Sequence, residues 1–412
     1  MQPSQPGMVS EARASTRHPL SHHDYRVLCL STLFQGAGYV GETVVLGWLL
    51  LEDTDSALIV GLGIALRALP NFLLGIPGGA IADRFDRRAL LRVCSLGSGL
   101  NAGVLALLAF SGGLSVPAIL CFTFIGGGLR ALGQSARQSY AFDIVGPSQA
   151  VGAMALTRLG QGVGGIAGSL GAGLILQEAG GGEAYLAVSI CLLLSGVAMF
   201  LARSSGQAAP STRTPILKGS REYLSEMASN RTLAVLVALT AAVEILGFSY
   251  QAALPNLTRD LLDAGPESLG LLNAAASVGG IIAIIGLSLR GEPSHKGPLF
   301  LIVLVLFGVA LAVLGSGTSL AFAVVAIGLV AGCASLTDVL TQTLVQASVP
   351  NELRGRAMGS WVLAIGFGPA GHLQIGLLIA SFGVTAALSV NGALLVLLAA
   401  LTALRARRVR TL

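Results

Sequence analysis

Seven ionisable residues fall inside stretches that are otherwise apolar: Glu42, Arg67, Arg130, Arg158, Glu244, Asp338 and His372. A charge in hydrocarbon is costly enough to mark a pathway, a proton relay or a buried pair. Carboxylates at Glu42, Glu244 and Asp338 can take up and release protons. Arginines at Arg67, Arg130 and Arg158 can hold an anionic group or neutralise an acid. A histidine such as His372 titrates near neutral pH in ordinary surroundings and otherwise serves as an interhelical hydrogen-bond partner. Together these types support proton exchange and anion binding. No nucleophile stands beside a base, and no paired metal-ligand spacing accompanies them. A second concentration of charge is "GGAIADRFDRRALL", Gly78–Leu91, where Asp83, Arg84, Asp86, Arg87 and Arg88 fill five of six consecutive positions between two apolar runs.

The elements that position these residues follow from composition. Of 412 residues, 53% are hydrophobic and 11% charged, against about 25% charged in soluble domains. Apolar runs of bilayer-crossing length, roughly 17–25 residues, recur at 25–51, 57–82, 88–110, 116–140, 149–177, 183–202, 233–254, 268–290, 299–315, 319–348, 357–381 and 384–404. The fold class is an all-α membrane protein with twelve transmembrane helices. At the helical rise, Glu42 and Arg67 lie about 13–15 Å below one surface, close enough in depth to pair across the first helical hairpin. Arg130, Arg158 and Asp338 lie about 13–15 Å from the other surface, where two arginines face an acid and the boundary residue Asp143.

Several function classes are excluded. The first apolar run is too long for the core of a cleaved signal peptide. The five cysteines lie within spans without CxxC spacing, so neither a disulfide framework nor a zinc site is expected. "HHD", His22–Asp24, reads as a solvated arm. "GQGVGG", Gly160–Gly165, fits the dinucleotide pattern, but that pattern requires a preceding strand. Within an apolar helix, Gly160, Gly164 and Gly168 instead allow close helix packing. No Walker A motif is present, so no intrinsic ATPase is expected, and the chain is read as a non-enzyme without cofactor.

Net charge is +5, which in a membrane chain is a topological signal and does not point to nucleic acid. With both termini in the cytoplasm, nearly all of the 25 Lys and Arg residues fall on that side, and Arg259 stands alone in an outer loop. The positive-inside rule favours this orientation.

The polar segment 203–232 divides the spans six and six. The expected organisation is an arm (1–24), a first half (25–202), a linker (203–232), a second half (233–404) and a basic tail (405–412). A shift of 203 aligns "PSQAVG", Pro147–Gly152, with "PNELRG", Pro350–Gly355, and carries Gly165 and Gly168 onto Gly368 and Gly371. Glu42 and Glu244 correspond at a shift of 202. Parallel six-helix halves with a site between them form a transporter layout.

These features resemble the major facilitator superfamily over essentially the whole chain. Its signature between helices 2 and 3, G-x-x-A-D-R-x-G-R-R, is matched by Gly79, Ala82, Asp83, Arg84, Arg87 and Arg88, with Asp86 in place of the second glycine. "VPNELRGRAMG" (Val349–Gly359) and "FSYQAALPNLTRDLL" (Phe248–Leu262) resemble segments of its drug and siderophore efflux branch. The helix-4 motif R-x-x-Q-G appears as "RALGQ" from Arg130. The helix-5 antiporter motif appears as "GSLGAG", without its proline, whereas helix 11 has "GPAG", containing Gly368, Pro369 and Gly371.

The resemblance implies a secondary exporter in a bacterial inner membrane, working as a monomer on an amphipathic small molecule in exchange for protons. Within that frame Asp83 is expected to latch the inner gate at a helix N-terminus, with Glu244, Glu42 or Asp338 carrying the proton. The alternatives are a lipid or metabolite uptake or flipping transporter with other coupling, and a non-transporting scaffold or sensor.

Overall fold

A computed structural model describes residues 19–82, 85–146, 149–205, 230–290, 295–350, 353–406 and 408. Sequences this apolar must satisfy their backbone groups internally in a bilayer, and the described residues do so as helices. The first half comprises α1 (His23–Thr54), α2 (Ala57–Ala82), α3 (Arg87–Phe110), α4 (Val116–Val145), α5 (Ala150–Glu178) and α6 (Gly181–Ala198). The second comprises α7 (Arg231–Leu246), α8 (Tyr250–Asn256) with a π turn at Leu257–Leu261, α9 (Pro266–Leu289), α10 (Lys296–Leu314), α11 (Leu320–Ala347), α12 (Arg354–Ile365) and α13 (Gly368–Arg405).

Among the described residues, ten segments are long and apolar enough to cross a membrane. The last of them is two crossings. Gly383 adopts φ 81°, a left-handed conformation suited to glycine, and Gln374 Nε2 donates to Asn391 Oδ1 at 2.9 Å. In a straight helix, residues 17 apart would be separated by about 25 Å, so the chain doubles back at Gly383. The twelfth crossing is α1, 32 residues long, whose Gln35, Glu42, Glu52 and Asp53 hold its hydropathy down.

Local chemistry sets the helix ends. Asp86 caps α3 by accepting from Ala89 N at 3.0 Å, which explains an acid where the signature has glycine. Asn230 caps α7, accepting from Thr232 N and Leu233 N at 3.1 Å.

In the first half α1 packs on α5 and α6, α2 on α4, and α3 on α4 and α6. The α1–α5 contact is backbone to backbone: a Cβ at Gly164 or Gly168 would collide with the carbonyl of Leu33 or Ala37. In the second half α9 packs on α11, and α10 on α11 and α13. The halves meet where α5 lies on α9 and α2 on α13, with α1 also touching α8 and α9. Large apolar side chains cover the periphery, among them Leu289 (83% exposed) and Leu404 (76%), an arrangement that suits hydrocarbon surroundings.

Two crossings are interrupted. The seventh loses regular helix at Gly247–Ser249, between α7 and α8, and the eleventh at Gly366–Phe367, between α12 and α13. Asn391 Nδ2 donates to Ser249 Oγ at 3.0 Å, tying the first break to the twelfth crossing. Discontinuous membrane helices free backbone groups, and such irregularity is tolerated where it lines a site.

Candidate functional site

In the first half, Glu42 on α1 meets Arg67 on α2. Arg67 Nη2 donates to the Tyr39 carbonyl at 2.5 Å and to Glu42 Oε2 at 3.5 Å. Their side chains are only 11% and 9% exposed for Arg67 and Glu42. The other Glu42 oxygen faces Gly126 of α4, where a Cβ would lie 3.5 Å from it. Arg130 forms no ion pair with an acid among the described residues. Its guanidinium carbon lies 5.0 Å from the centre of the Tyr39 ring, a cation–π arrangement, and it acts through space on both Arg67 and Glu42. Two arginines thus share one carboxylate, leaving a positive charge available to an anionic group.

Arg137 is a further buried cation. Two helical turns beyond Arg130 on α4, it is 2% exposed. Its Nη1 donates to Thr32 Oγ1 at 2.9 Å and Ser31 Oγ at 3.3 Å, while Nε and Nη2 have no partner among the described residues. From sequence alone, Arg137 belongs with the basic residues at the inner end of the fourth apolar run. Its seven-residue spacing from Arg130, which repeats one helical face, is the signal that finds it. Arg137 and Arg158 line one recess between α4 and α5 with Gln134, Gln138, Thr157 and Gln161.

In the second half, Glu244 lies in the last turn of α7, just before the first break. Its Oε2 sits against Gly368, the opening residue of α13, where a Cβ would lie 3.4 Å away. A carboxylate there benefits from the positive end of the helix dipole. Gly371, one turn on, packs against the backbone of Glu244 and Ile245, and Pro369 occupies the first turn of α13. Asp338 on α11 accepts from Gln342 Nε2 at 3.1 Å and interacts through space with Glu244 and Arg158. His372 is 6% exposed. Its Nδ1 has no partner among the described residues, its carbonyl abuts Gly61 of α2, and it interacts through space with Arg67. The ionisable residues therefore bridge the halves along two lines, Glu42–Arg67–His372 and Arg158–Asp338–Glu244.

The signature loop divides differently. Arg87 Nη1 donates to both oxygens of Asp143 at 2.6 Å, so Asp143 is held by Arg87 and not by Arg130 or Arg158. Arg88 donates to the carbonyls of Ala202 and Arg203 at 3.1 and 3.0 Å. Arg92 donates to Met199 O at 3.1 Å and lies over the Phe200 ring. These three brace the first half internally, and Arg88 and Arg92 cover the end of α6 with positive charge. Gly79 belongs to α2, while Asp83 and Arg84 lie outside the described residues. Of the packing glycines, Gly164 and Gly168 sit on α1 and Gly160 lies beside Cys29 O. Among the described residues no His, Cys, Asp and Glu group is arranged to hold a metal ion.

Twelve crossings in two six-helix halves, joined by α2–α13 and α5–α9 contacts around buried ionisable residues, define a transporter of the major facilitator type. The chain belongs to the MFS_3 family, "Transmembrane secretion effector", which matches residues 14–411. It is similar to the staphyloferrin A transporter of Staphylococcus aureus, with 26% identity over 371 residues, 87% of this chain and 90% of that one. It is also similar to the multidrug efflux pump Tap of Mycolicibacterium fortuitum, with 24% identity, 85% of this chain and 88% of that one. The enterobactin exporter EntS of Shigella boydii is 25% identical over 75% of this chain and 73% of its own. Among solved structures, the nucleoside transporter NupG shares the fold at a TM-score of 0.76 with 12% identity, covering 93% of this chain and 98% of its own. The chain is thus a secondary transporter of small molecules in the inner membrane, not an enzyme.

Proposed function

We propose that this protein exports an amphipathic small molecule, of the siderophore or multidrug kind named for its relatives, in exchange for protons. The observation that carries the reading is Glu244 at the junction of two broken helices, its carboxylate against the start of α13 and within electrostatic reach of Asp338. A carboxylate there is drawn to the helix N-terminus when charged and loses that attraction when protonated. Proton occupancy therefore changes how tightly the seventh and eleventh crossings hold together, which couples a proton to a conformational change.

The face carrying the termini is cytoplasmic in this reading, from the distribution of Arg and Lys. The contacts at Gly173–Pro266 and Ala57–Gly376 then close the outer side, and transport alternates this state with one open outward. Arg130, uncompensated by an acid, receives an anionic or strongly hydrogen-bonding part of the substrate, while Asp83 holds the inner gate when that side closes. The protein acts as a monomer. The test is accumulation of a labelled siderophore or a fluorescent efflux dye in inverted vesicles carrying the transporter. Uptake that requires a proton gradient and collapses with an uncoupler supports coupled export, whereas gradient-independent equilibration contradicts it.

A further inference from the structure

On the face carrying the termini, the beginning of α7 and the end of α13 enclose a recess of about 530 Å³. Its polar wall is Arg231, Thr232, Arg405 and Arg408, and its apolar wall includes Val235, Leu401 and Leu404. Three guanidinium groups in one recess repel one another. Arg231 and Arg405 form no ion pair with a described residue.

The available donors define the ligand. Thr402 spends its hydroxyl on Leu398 O at 2.8 Å, and the Thr232 and Leu233 amides are already taken by the Asn230 cap. The two arginines remain, with the Thr232 hydroxyl, which makes no hydrogen bond to a described residue, and the positive end of the 16-residue α7. Paired guanidinium donors suit a tetrahedral oxyanion such as phosphate, which accepts bidentately from arginine.

The apolar wall decides between a free anion and one that carries hydrocarbon. Leu401 and Leu404, three residues apart on one face of α13, are 39% and 76% exposed. They run from the arginines towards the bilayer interior. A soluble phosphate would leave them uncovered, whereas a phospholipid places its phosphate among the arginines and its acyl chains along the leucines. Basic pockets between membrane helices at this depth are suited to anionic headgroups. We infer that this recess is a binding site for an anionic phospholipid of the leaflet facing the termini, whose headgroup joins the start of the seventh crossing to the end of the twelfth.

The experiment uses the full-length protein purified in a mild detergent, with lipid retention measured by native mass spectrometry and unfolding followed by thermal shift. Phosphatidylglycerol is compared with phosphatidylcholine of the same acyl chains, and with glycerol phosphate as a soluble headgroup. Wild type is expected to retain phosphatidylglycerol preferentially and to be stabilised by it, with that preference falling about fivefold for each of Arg231→Gln and Arg405→Gln. Arg290→Gln, which removes another basic residue from the same face, is expected to leave the preference intact. Equal retention of the two lipids, full stabilisation by glycerol phosphate alone, or an equal loss in Arg290→Gln would overturn the assignment. If either of the two single variants elutes as aggregate, the other decides the matter, and a preference it retains in full contradicts the site.

Discussion

Arg259, at the far end of the seventh crossing, donates from Nη2 to Asp55 Oδ1 at 2.5 Å and from Nη1 to Leu51 O at 3.1 Å at the end of α1. The contact ties one half to the other on the face opposite the termini. Asp55 is 84% exposed in its side chain, and an exposed pair is worth only about 0.2–1 kcal/mol. In the proposed transport cycle it therefore biases the gate on that face towards closure and does not lock it. Asp55→Asn is expected to raise the outward-open population about 1.4- to 5-fold, seen as faster labelling of a cysteine placed at Gln177 by an impermeant thiol reagent. Unchanged labelling would show that the pair has no part in the gate.

The Glu42–Arg67 pair is buried, so its energetics differ. Removing one partner leaves an uncompensated charge at a cost of about 3–5 kcal/mol. Glu42→Gln leaves Arg67 and Arg130 facing each other, and a large drop in the unfolding midpoint in detergent is expected. Glu42→Gln with Arg67→Gln is expected to restore part of it. A double variant no more stable than the single would place the stabilisation in the Arg67–Tyr39 carbonyl contact instead.

Arg130 rests on Tyr39 without a carboxylate. Arg130→Ala is expected to weaken binding of a carboxylated substrate about tenfold, on the scale of one charge-assisted hydrogen bond, and that of a neutral analogue little. Equal losses for both ligands, measured in nanodiscs, would assign Arg130 to packing alone.

Asp24, at the membrane edge, accepts from Arg203 N at 2.9 Å, from Ser204 N at 2.8 Å and from the Ser204 hydroxyl. Burial pushes its carboxyl up, but the Ser204 hydroxyl and the two backbone amides hold it well below the ordinary 3.8. A carboxyl lowered on folding stabilises the fold above its unfolded value, and that contribution fades as pH falls through the range below it. Stability from this contact is therefore expected to be constant between about pH 5 and 8 and to decline under more acid conditions. Asp24→Asn is expected to lower the unfolding midpoint at pH 7 and to flatten the acid limb. An acid limb as steep as in wild type would assign acid sensitivity to other carboxyls.

Much of the fold was legible because its signals are local and strong. Apolar length marked the crossings, and the boundary between 381 and 384 fell at the Gly383 turn. Glu42 and Arg67 were legible as partners because a hairpin brings residues of equal depth together. The breaks were not. Gly247 and Gly366 are two of 55 glycines, and interruption of a helix depends on what packs beside it, here Asn391 on Ser249. The partners of Asp143 and Arg130 depend on helix rotation, which hydrophobicity around the full circumference leaves undefined. Arg259 stood out as the single basic residue of the outer loops, but Asp55 as its partner required the packing of α1 against the end of the seventh crossing.

Glu244 is the proposed carrier of the coupling proton, and Glu244→Gln in proteoliposomes isolates that role because glutamine imitates the permanently protonated acid. With an imposed proton gradient, the variant is expected to bind substrate and exchange it across the membrane while failing to move it uphill, against robust uphill transport by the wild type. Uphill transport by Glu244→Gln on the same gradient would exclude Glu244 as the coupling site and move that role to Glu42, Asp338 or His372.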